Sequence, residues 1–212
     1  MLSYILFLNG TYNKRHLTFY KKQAHGKIKV AVDGGYKFFS LANLKPNFLI
    51  GDLDSVRLSE ISSLSKTKVF KYPKEKNQTD FELALDFCLK SNAKDIVVVV
   101  PSLGDVDHFL GVVMASSFNE KIGDKIKLRI INNKFEMTVV NNTRQAFNNC
   151  VGKRVSVLAL SDRISLTMYG FDYNAKNLAV KRGSGHALRN RIKNKKASLE
   201  ISGKALVILS PP

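Results

Sequence analysis

Tryptophan is absent from the 212 residues, cysteine occurs twice and proline five times. Cys88 and Cys150 form no Cys-x-x-Cys pair, and His16, His25, His108 and His186 show no His-x-x-x-His spacing, so neither a disulfide framework nor a zinc site is expected. Cys88 sits among helix-spaced apolar residues and reads as core. Long apolar runs are missing too: the stretch around Ile96 to Pro101 is far short of the roughly 20 residues that span a bilayer. The N-terminal run MLSYILFLNG has no basic segment before it and no small-residue cleavage site behind it. It reads as a first strand, with cytoplasm as the expected compartment. Neither GxxxxGK[ST] nor GxGxxG occurs, which excludes P-loop and dinucleotide-turn designs and leaves a nucleotide to be held by metal and side chains.

Acids are scarce, 17 Asp and Glu against 34 Lys and Arg, for a net charge of +17. Such a charge suggests nucleic acid, a membrane surface or a phosphorylated ligand. Lysine and asparagine are abundant all along the chain, however, as a low-GC coding bias produces, so a diffusely basic surface needs no specific partner. The placement of the acids is more informative. Residues 1–125 hold 18 basic against 13 acidic residues, leaving 16 against 4 for the remainder. Six of the acids, Asp33, Asp52, Asp54, Asp80, Asp105 and Asp107, lie in glycine-rich or polar junctions.

Continuous apolar runs recur in the first part: Tyr4 to Leu8, Val30 to Val32, Phe48 to Ile50 and Ile96 to Val100. Runs of this kind suit strands buried on both faces of a parallel sheet. Helical patterns lie between them, the best starting at Thr79-Asp-Phe-Glu82, a capping box followed by Phe81, Leu85, Cys88 and Leu89 on one face. After about Ile126 the texture changes to β-rich segments, KLRIINN, EMTVVNN, RVSVLAL, ISLTMYGF, ASLEIS and ALVIL, separated by Asn, Gly and Lys turns. The expected architecture is an α/β Rossmann-like domain over 1–125, a parallel sheet with flanking helices, followed by an all-β sandwich over 126–212.

Three acidic junctions follow directly on apolar runs: Asp33-Gly34-Gly35, Gly51-Asp52-Leu53-Asp54-Ser55, and Pro101 to His108. They would all lie at the carboxyl ends of parallel strands, the edge where open α/β sheets bind ligands. Asp52 and Asp54, two apart, suit a hard divalent cation, expected to be magnesium, held between protein and phosphate oxygens. Asp80 stands in the first turn of the Thr79-capped helix, where free N–H groups and the helix dipole favour anions. Lys74, Lys76 and Gln78 precede that helix on a polar loop suited to a polyphosphate.

DGGYKFF (33–39), PNFLIGDLDSV (46–56), KNQTDFELAL (76–85) and GDVDH (104–108) occur in the order and spacing of the thiamine pyrophosphokinase family, which the chain resembles. The resemblance extends through TMYGFDY (167–173) and GSGHALRN (183–190), covering nearly the whole chain. It implies transfer of a pyrophosphoryl group from ATP to the thiamine hydroxyl, giving thiamine diphosphate and AMP, by a homodimer with active sites at the subunit interface. Carried over by position, Asp52, Asp54 and Asp80 would hold magnesium and Asp33 would lie beside the reacting groups. Gln78, Thr79 and Asp107 would contact nucleotide or polyphosphate, with Lys74, Lys76 and His108 in the same nucleotide site. Either Asp33 or Asp107 would accept or orient the alcohol proton.

The sequence departs from the family pattern at two places. Where the pattern has Gly-Gly-Arg-x before Asp-His, this chain has Leu103, Gly104, Asp105 and Val106, so a phosphate-facing cation is replaced by an acid; Lys74 and Lys76 are candidates to substitute. The terminal Ser-Asn corresponds to Arg189-Asn190, setting a long cation where a cationic thiazolium is expected. Without tryptophan, ring stacking falls to Tyr169, Phe171 and Tyr173, which would alternate along one strand face. On these residues two further readings stand beside the first: a pyrophosphokinase for another hydroxymethyl heterocycle such as a pterin, and a non-catalytic nucleotide or nucleic-acid binder using Lys193, Lys195 and Lys196.

Overall fold

The computed structural model describes residues 1–54, 66–102 and 104–212. Ser55 and Val56 of the second motif, and Leu103, lie outside the described residues. The chain divides into two compact units, Met1–Ala115 with Ile130–Asn133, and Ser116–Arg129 with Lys134–Pro212.

The first unit is α/β. Strands β1 (Ser3–Phe7), β2 (Ile28–Val32), β3 (Phe48–Gly51), β4 (Lys68–Lys71) and β5 (Asp95–Val99) lie in the order β5-β1-β2-β3-β4, and every adjacent pair is parallel. Helices α1 (Leu17–Ala24), α2 (Tyr36–Ala42) and α3 (Asp80–Lys90) belong to this unit, as does most of α4 (Val106–Phe118). The strands are apolar throughout because both faces are covered. On one face Phe7 stacks on Phe38 of α2 with ring centroids 3.9 Å apart, inside a core that also takes Ile5, Tyr20, Leu49 and Val97. On the other, Tyr4 meets Phe87 of α3 edge-on at 6.2 Å. Successive residues of one strand thus serve opposite faces.

The chain runs outward from β1 through β2, β3 and β4, then returns to lay β5 on the other side of β1. That reversal opens a crevice at the carboxyl ends of β1 and β5. Helix α3 starts there. Thr79 Oγ1 accepts the Glu82 N–H at 3.2 Å while Glu82 Oε2 accepts the Thr79 N–H at 2.8 Å, the reciprocal cap read from the sequence.

The second unit is antiparallel β. Its longest strand, β12 (Lys196–Ser210), pairs along its length with β7 (Glu136–Asn148). The first half of β12 also pairs with β9 (Arg163–Tyr169), and its second half with β8 (Arg154–Ala159). β10 (Ala175–Lys181) extends β9, and the two-residue β11 (Asn190–Arg191) extends β8. β6 (Lys127–Ile131), whose first three residues belong to this unit, neighbours β7 in the strand order. Alternate residues of β8, β9 and β12, among them Val157, Leu166 and Leu199, share one buried core. ASLEIS and ALVIL are one strand here rather than two, because Gly203 between them forms a bulge at φ +100° whose N–H is taken by Asn142 Oδ1 at 2.8 Å. No helix among the described residues is long and apolar enough to cross a membrane.

Candidate active site

The register of two parallel strands gathers the acids. Val32 of β2 pairs with Ile50 of β3, so the next residues, Asp33 and Gly51, stand side by side as the strands end. A Cβ on Gly51 would lie 3.1 Å from the Asp33 Cβ and 3.2 Å from its Cα, tighter than ordinary contact, so glycine lets the two backbones approach. Beyond it, Asp52 Oδ1 accepts the Asp54 N–H at 3.1 Å, turning the chain. Leu53 between them has φ +67°, a left-handed conformation that costs a non-glycine residue about 1–2 kcal/mol. Its side chain is buried in the α1–α2 side core, which holds that turn in place. The result is a group of three carboxylates, Asp33, Asp52 and Asp54, with one oxygen of each lying within 4.8 Å of the others. All-oxygen, all-anionic donors at this spacing fit a hard divalent cation such as magnesium.

The turn that carries Asp33 is pinned from β1. A Cβ on Gly35 would collide with the Phe7 carbonyl oxygen, and one on Gly34 with the Asn9 side chain. The Asp-Gly-Gly sequence is therefore what allows α2 to start hard against the end of β1. Asn9 Oδ1 in turn accepts the Gly10 N–H at 2.9 Å and faces Lys37 Nζ at 3.3 Å.

A cleft of about 750 Å³ lies over these strand ends, lined by Asn9, Gly10, Asp33, Asp52, Lys74, Lys76, Gln78, Thr79, Asp80, Asp105, Asp107 and His108 among others. All the residues expected at the nucleotide and catalytic site thus face one space, except Asp54, which belongs to the carboxylate group beside it. Asp80 stands apart from that group: Lys76 Nζ lies 2.9 Å from Asp80 Oδ1, and both side chains are more than three-quarters buried. Lys74 reaches Asp54 at 3.3 Å. Gln78 Nε2 donates to Asp86 at 3.1 Å, the Thr79 hydroxyl is spent on the helix cap, and Asp107 Oδ1 accepts the His108 N–H at 2.7 Å. Asp105 faces the cleft as an acid, and among the described lining residues the cationic side chains are Lys74 and Lys76. Asn9 and Gly10 went unnoticed in the sequence, although a polar residue directly after an apolar strand marks the same edge as the acids.

The second unit holds a pocket of about 560 Å³ lined by Met168, Tyr173, Leu178, His186, Leu188 and Asn190 among others. Asn190 is buried and clamps the backbone of Tyr173, donating to its carbonyl at 2.7 Å and accepting its N–H at 3.2 Å. Tyr173 is left 79% exposed at the pocket edge. The neighbouring expected residues go elsewhere. Tyr169, Phe171 and Tyr173 do not alternate on one strand, because β9 ends at Tyr169 and Gly170 turns at φ +81° to pass close to the Lys196 carbonyl. Phe171 is buried edge-on against Phe147 in the core. Tyr169 is exposed and outside the pocket lining, as is Arg189, which adopts φ +58° with its N–H on Ser156 Oγ at 2.9 Å. Arg189 is therefore not among the lining residues, whereas Lys176 brings a cation to the pocket.

Comparison with known proteins agrees with this geometry. The family model of the thiamin pyrophosphokinase catalytic domain matches residues 19–127. The thiamine pyrophosphokinase of Bacillus subtilis (strain 168) is 26% identical over 184 residues, 85% of each chain. Among solved structures, thiamine pyrophosphokinase from Bacillus subtilis superposes with a TM-score of 0.81 at 23% identity, covering 99% of both chains. The thiamin pyrophosphokinases of Geobacillus thermodenitrificans (TM-score 0.79, 24% identity, 100% and 98% covered) and Candida albicans (0.80, 15%, 100% and 89%) share the fold. The span matched by the family model begins in α1 and runs past α4, taking in the carboxylate group and the capped helix, and by that match the chain belongs to the thiamin pyrophosphokinase family.

Proposed function

We propose that the protein is a thiamine diphosphokinase: it transfers the terminal pyrophosphoryl group of ATP to the hydroxyl of thiamine, releasing AMP. The observation that carries this reading is the group of three carboxylates at the ends of two adjacent parallel strands, opening on a cleft with a capped helix N-terminus and two lysines. In the reaction the alcohol oxygen bonds to the β-phosphorus and the bond from that phosphorus to the α,β-bridging oxygen breaks. AMP leaves with the electron pair. The alcohol proton passes to a carboxylate facing the cleft, Asp33 or Asp107.

Such a transfer asks little covalent chemistry of the protein; alignment and charge stabilisation carry it. Asp33, Asp52 and Asp54 would hold magnesium, which when bound neutralises polyphosphate charge. Lys76 and Lys74 supply protein cations where the family pattern has arginine and this chain has Asp105. The N-terminus of α3 offers N–H groups to phosphate oxygens. The pocket beside Tyr173 and Asn190 is the acceptor side of this reading. The first unit would act as a Rossmann-like catalytic domain and the second as the β-sandwich that receives thiamine, with two copies forming a homodimer. The two free cysteines suit the reducing cytoplasm. Neither the pterin-type acceptor nor the silent binder is favoured by the relatives.

The test is incubation of purified protein with magnesium, ATP and thiamine, following AMP and thiamine diphosphate by chromatography, with Asp54→Ala as control. Both products are expected from the wild type and neither from the variant. ATP binding without thiamine diphosphate would overturn the reading.

A further inference from the structure

At one edge of the second unit the backbone gathers lysines around the end of β9. The turn over 149–153 lies alongside 192–195: the Asn149 N–H donates to the Lys195 carbonyl at 3.1 Å, the Gly152 N–H to the Ile192 carbonyl at 2.8 Å and the Ile192 N–H to the Lys153 carbonyl at 2.9 Å. The N–H groups of Lys193 and Asn194 both reach the Gly170 carbonyl, at 2.9 and 3.0 Å, which seats that segment against Gly170. Lys153, Lys193, Lys195 and Lys196 are thereby brought to one place. All four are exposed, and none makes an ion pair among the described residues. Arg191 stands with them but is matched by Asp172 at 2.7 Å.

An aromatic ring stands among these lysines. Tyr169, the last residue of β9, is 63% exposed. It lies opposite Ser198 of β12, which lies opposite Ala146 of β7, so its row on the outer face of the sheet holds only small neighbours and leaves the ring open. The residues between, Met168, Leu199 and Phe147, turn the other way into the core. Lys196, two residues before Ser198, shares the outer face and takes the position diagonal to Tyr169, within reach of a long side chain. The next row carries an acid, Glu200, and sets Arg144 opposite it. Neither Tyr169 nor the four lysines line the pocket beside Tyr173.

In a chain of net charge +17, lysines alone do not mark a site; an open ring set among unpaired lysines adds a second kind of contact. Lysines neutralise phosphates, and the face of a tyrosine stacks on a base, which is free to stack only where the strand is unpaired. We propose that this surface binds single-stranded nucleic acid without sequence preference, beside the transferase activity and not in place of it. An anionic membrane would use the lysines equally, but the broad apolar face that inserts into lipid is missing, since the ring's row holds serine and alanine. If each of the four lysines neutralises one phosphate, log affinity falls with log salt at a slope of about −2.8, a loss of about 50-fold between roughly 50 and 200 mM salt. Stacking on Tyr169 contributes about a further tenfold.

The test is fluorescence anisotropy of a labelled oligouridylate of about 12 nucleotides, a length within the site sizes of single-strand binders, titrated with the full-length protein over a salt series. The variants are Lys193→Ala/Lys195→Ala, Tyr169→Ala and Tyr169→Phe; Lys21→Ala/Lys22→Ala, which removes the same charge from the exposed end of α1, is the control. Circular dichroism melting checks that each is folded. The lysine pair should halve the slope to about −1.4, Tyr169→Ala should weaken binding about tenfold at every salt concentration, and Tyr169→Phe and the control should bind as the wild type does. A wild type that ignores the oligonucleotide at low salt would overturn the assignment, as would a control that weakens as much as the lysine pair, which is diffuse charge only. Equal affinity for a duplex of the same length, or a Tyr169→Ala variant that binds unchanged, removes the stacking on which the proposal stands. Lysine-dependent pelleting with phosphatidylserine vesicles, in a protein that leaves the oligonucleotide free, gives the surface to a membrane instead. Thiamine diphosphate formation, measured on the same samples, is expected to be equal in the wild type and the Lys193→Ala/Lys195→Ala variant. Product without oligonucleotide binding sinks this surface and leaves the function standing; tyrosine-dependent binding without product does the reverse.

Discussion

Asp52→Asn isolates the electrostatic cost of the carboxylate group. Asparagine keeps the side-chain oxygen that accepts the Asp54 N–H, so the turn is retained and only a charge is removed. Two unit charges 4.8 Å apart repel by about 1 kcal/mol at the dielectric of water and about 3.5 kcal/mol at an effective value of 20. The group opens on the cleft and the Asp54 side chain is 54% exposed, so the lower figure applies, and Lys74 at 3.3 Å offsets part of it. Removing one of three charges relieves two such pairs. After screening, a net gain of about 1 kcal/mol is expected, raising the melting temperature by about 2–4 °C for a chain of this size. Calorimetry in chelator and low salt should show the variant melting above the wild type. Magnesium at a hundred times its dissociation constant stabilises the protein that binds it by about 2.7 kcal/mol, so in magnesium the order should invert. A variant that melts at or below the wild type in chelator, or that responds to magnesium as the wild type does, would refute both the repulsion and the metal-holding role.

Lys76→Met removes the cation held against Asp80 and should cut thiamine diphosphate formation by about 10²-fold through lost charge stabilisation. It should also destabilise the fold by about 1–2 kcal/mol by leaving Asp80 largely buried without that partner; a double-mutant cycle with Asp80→Asn should recover at least 1 kcal/mol of coupling, and additivity would dismiss the pair. Burial pushes the Cys88 thiol up to about 12, whereas Cys150 is half-buried, so at pH 8 one thiol per native chain should react rapidly with a disulfide reagent and the second only on unfolding. Since the folded value is raised, the contribution of Cys88 to stability is complete below the unfolded value near 9 and is lost as pH climbs toward 12; two fast thiols at pH 8 would contradict its placement.

The parallel strands were legible because burial on both faces writes itself as an unbroken apolar run, and α3 because its cap needs side chains at two fixed positions. β4 was not, since all four of its residues, Lys68 to Lys71, are exposed and show neither run nor alternation. β10, AKNLAVK, buries only Val180 and is held by pairing with β9, a relation no local pattern encodes. The acids were visible one by one, but not their grouping. Spacing joins Asp52 to Asp54; it takes the β2–β3 register to add Asp33, and the Lys76 contact to set Asp80 aside. In the second half, one glycine at φ +81° was enough to send Phe171 inward and leave Tyr169 and Tyr173 on separate surfaces.

The role of β12 bears on how the chain is made. All the strand pairs of the first unit between β1 and β5 join residues within the first hundred, so those pairs can form while the rest is still being translated. β7 and β8 depend on residues 196–210 for their longest ladders, and β9 for one of its two, with Glu136 waiting for Leu209. Until that strand leaves the ribosome, three sticky β segments have unfilled edges, a window in which they can pair wrongly or with a neighbouring nascent chain. The positive charge crowded into the same half, 16 Lys and Arg against 4 acids after residue 125, keeps such unfinished chains apart.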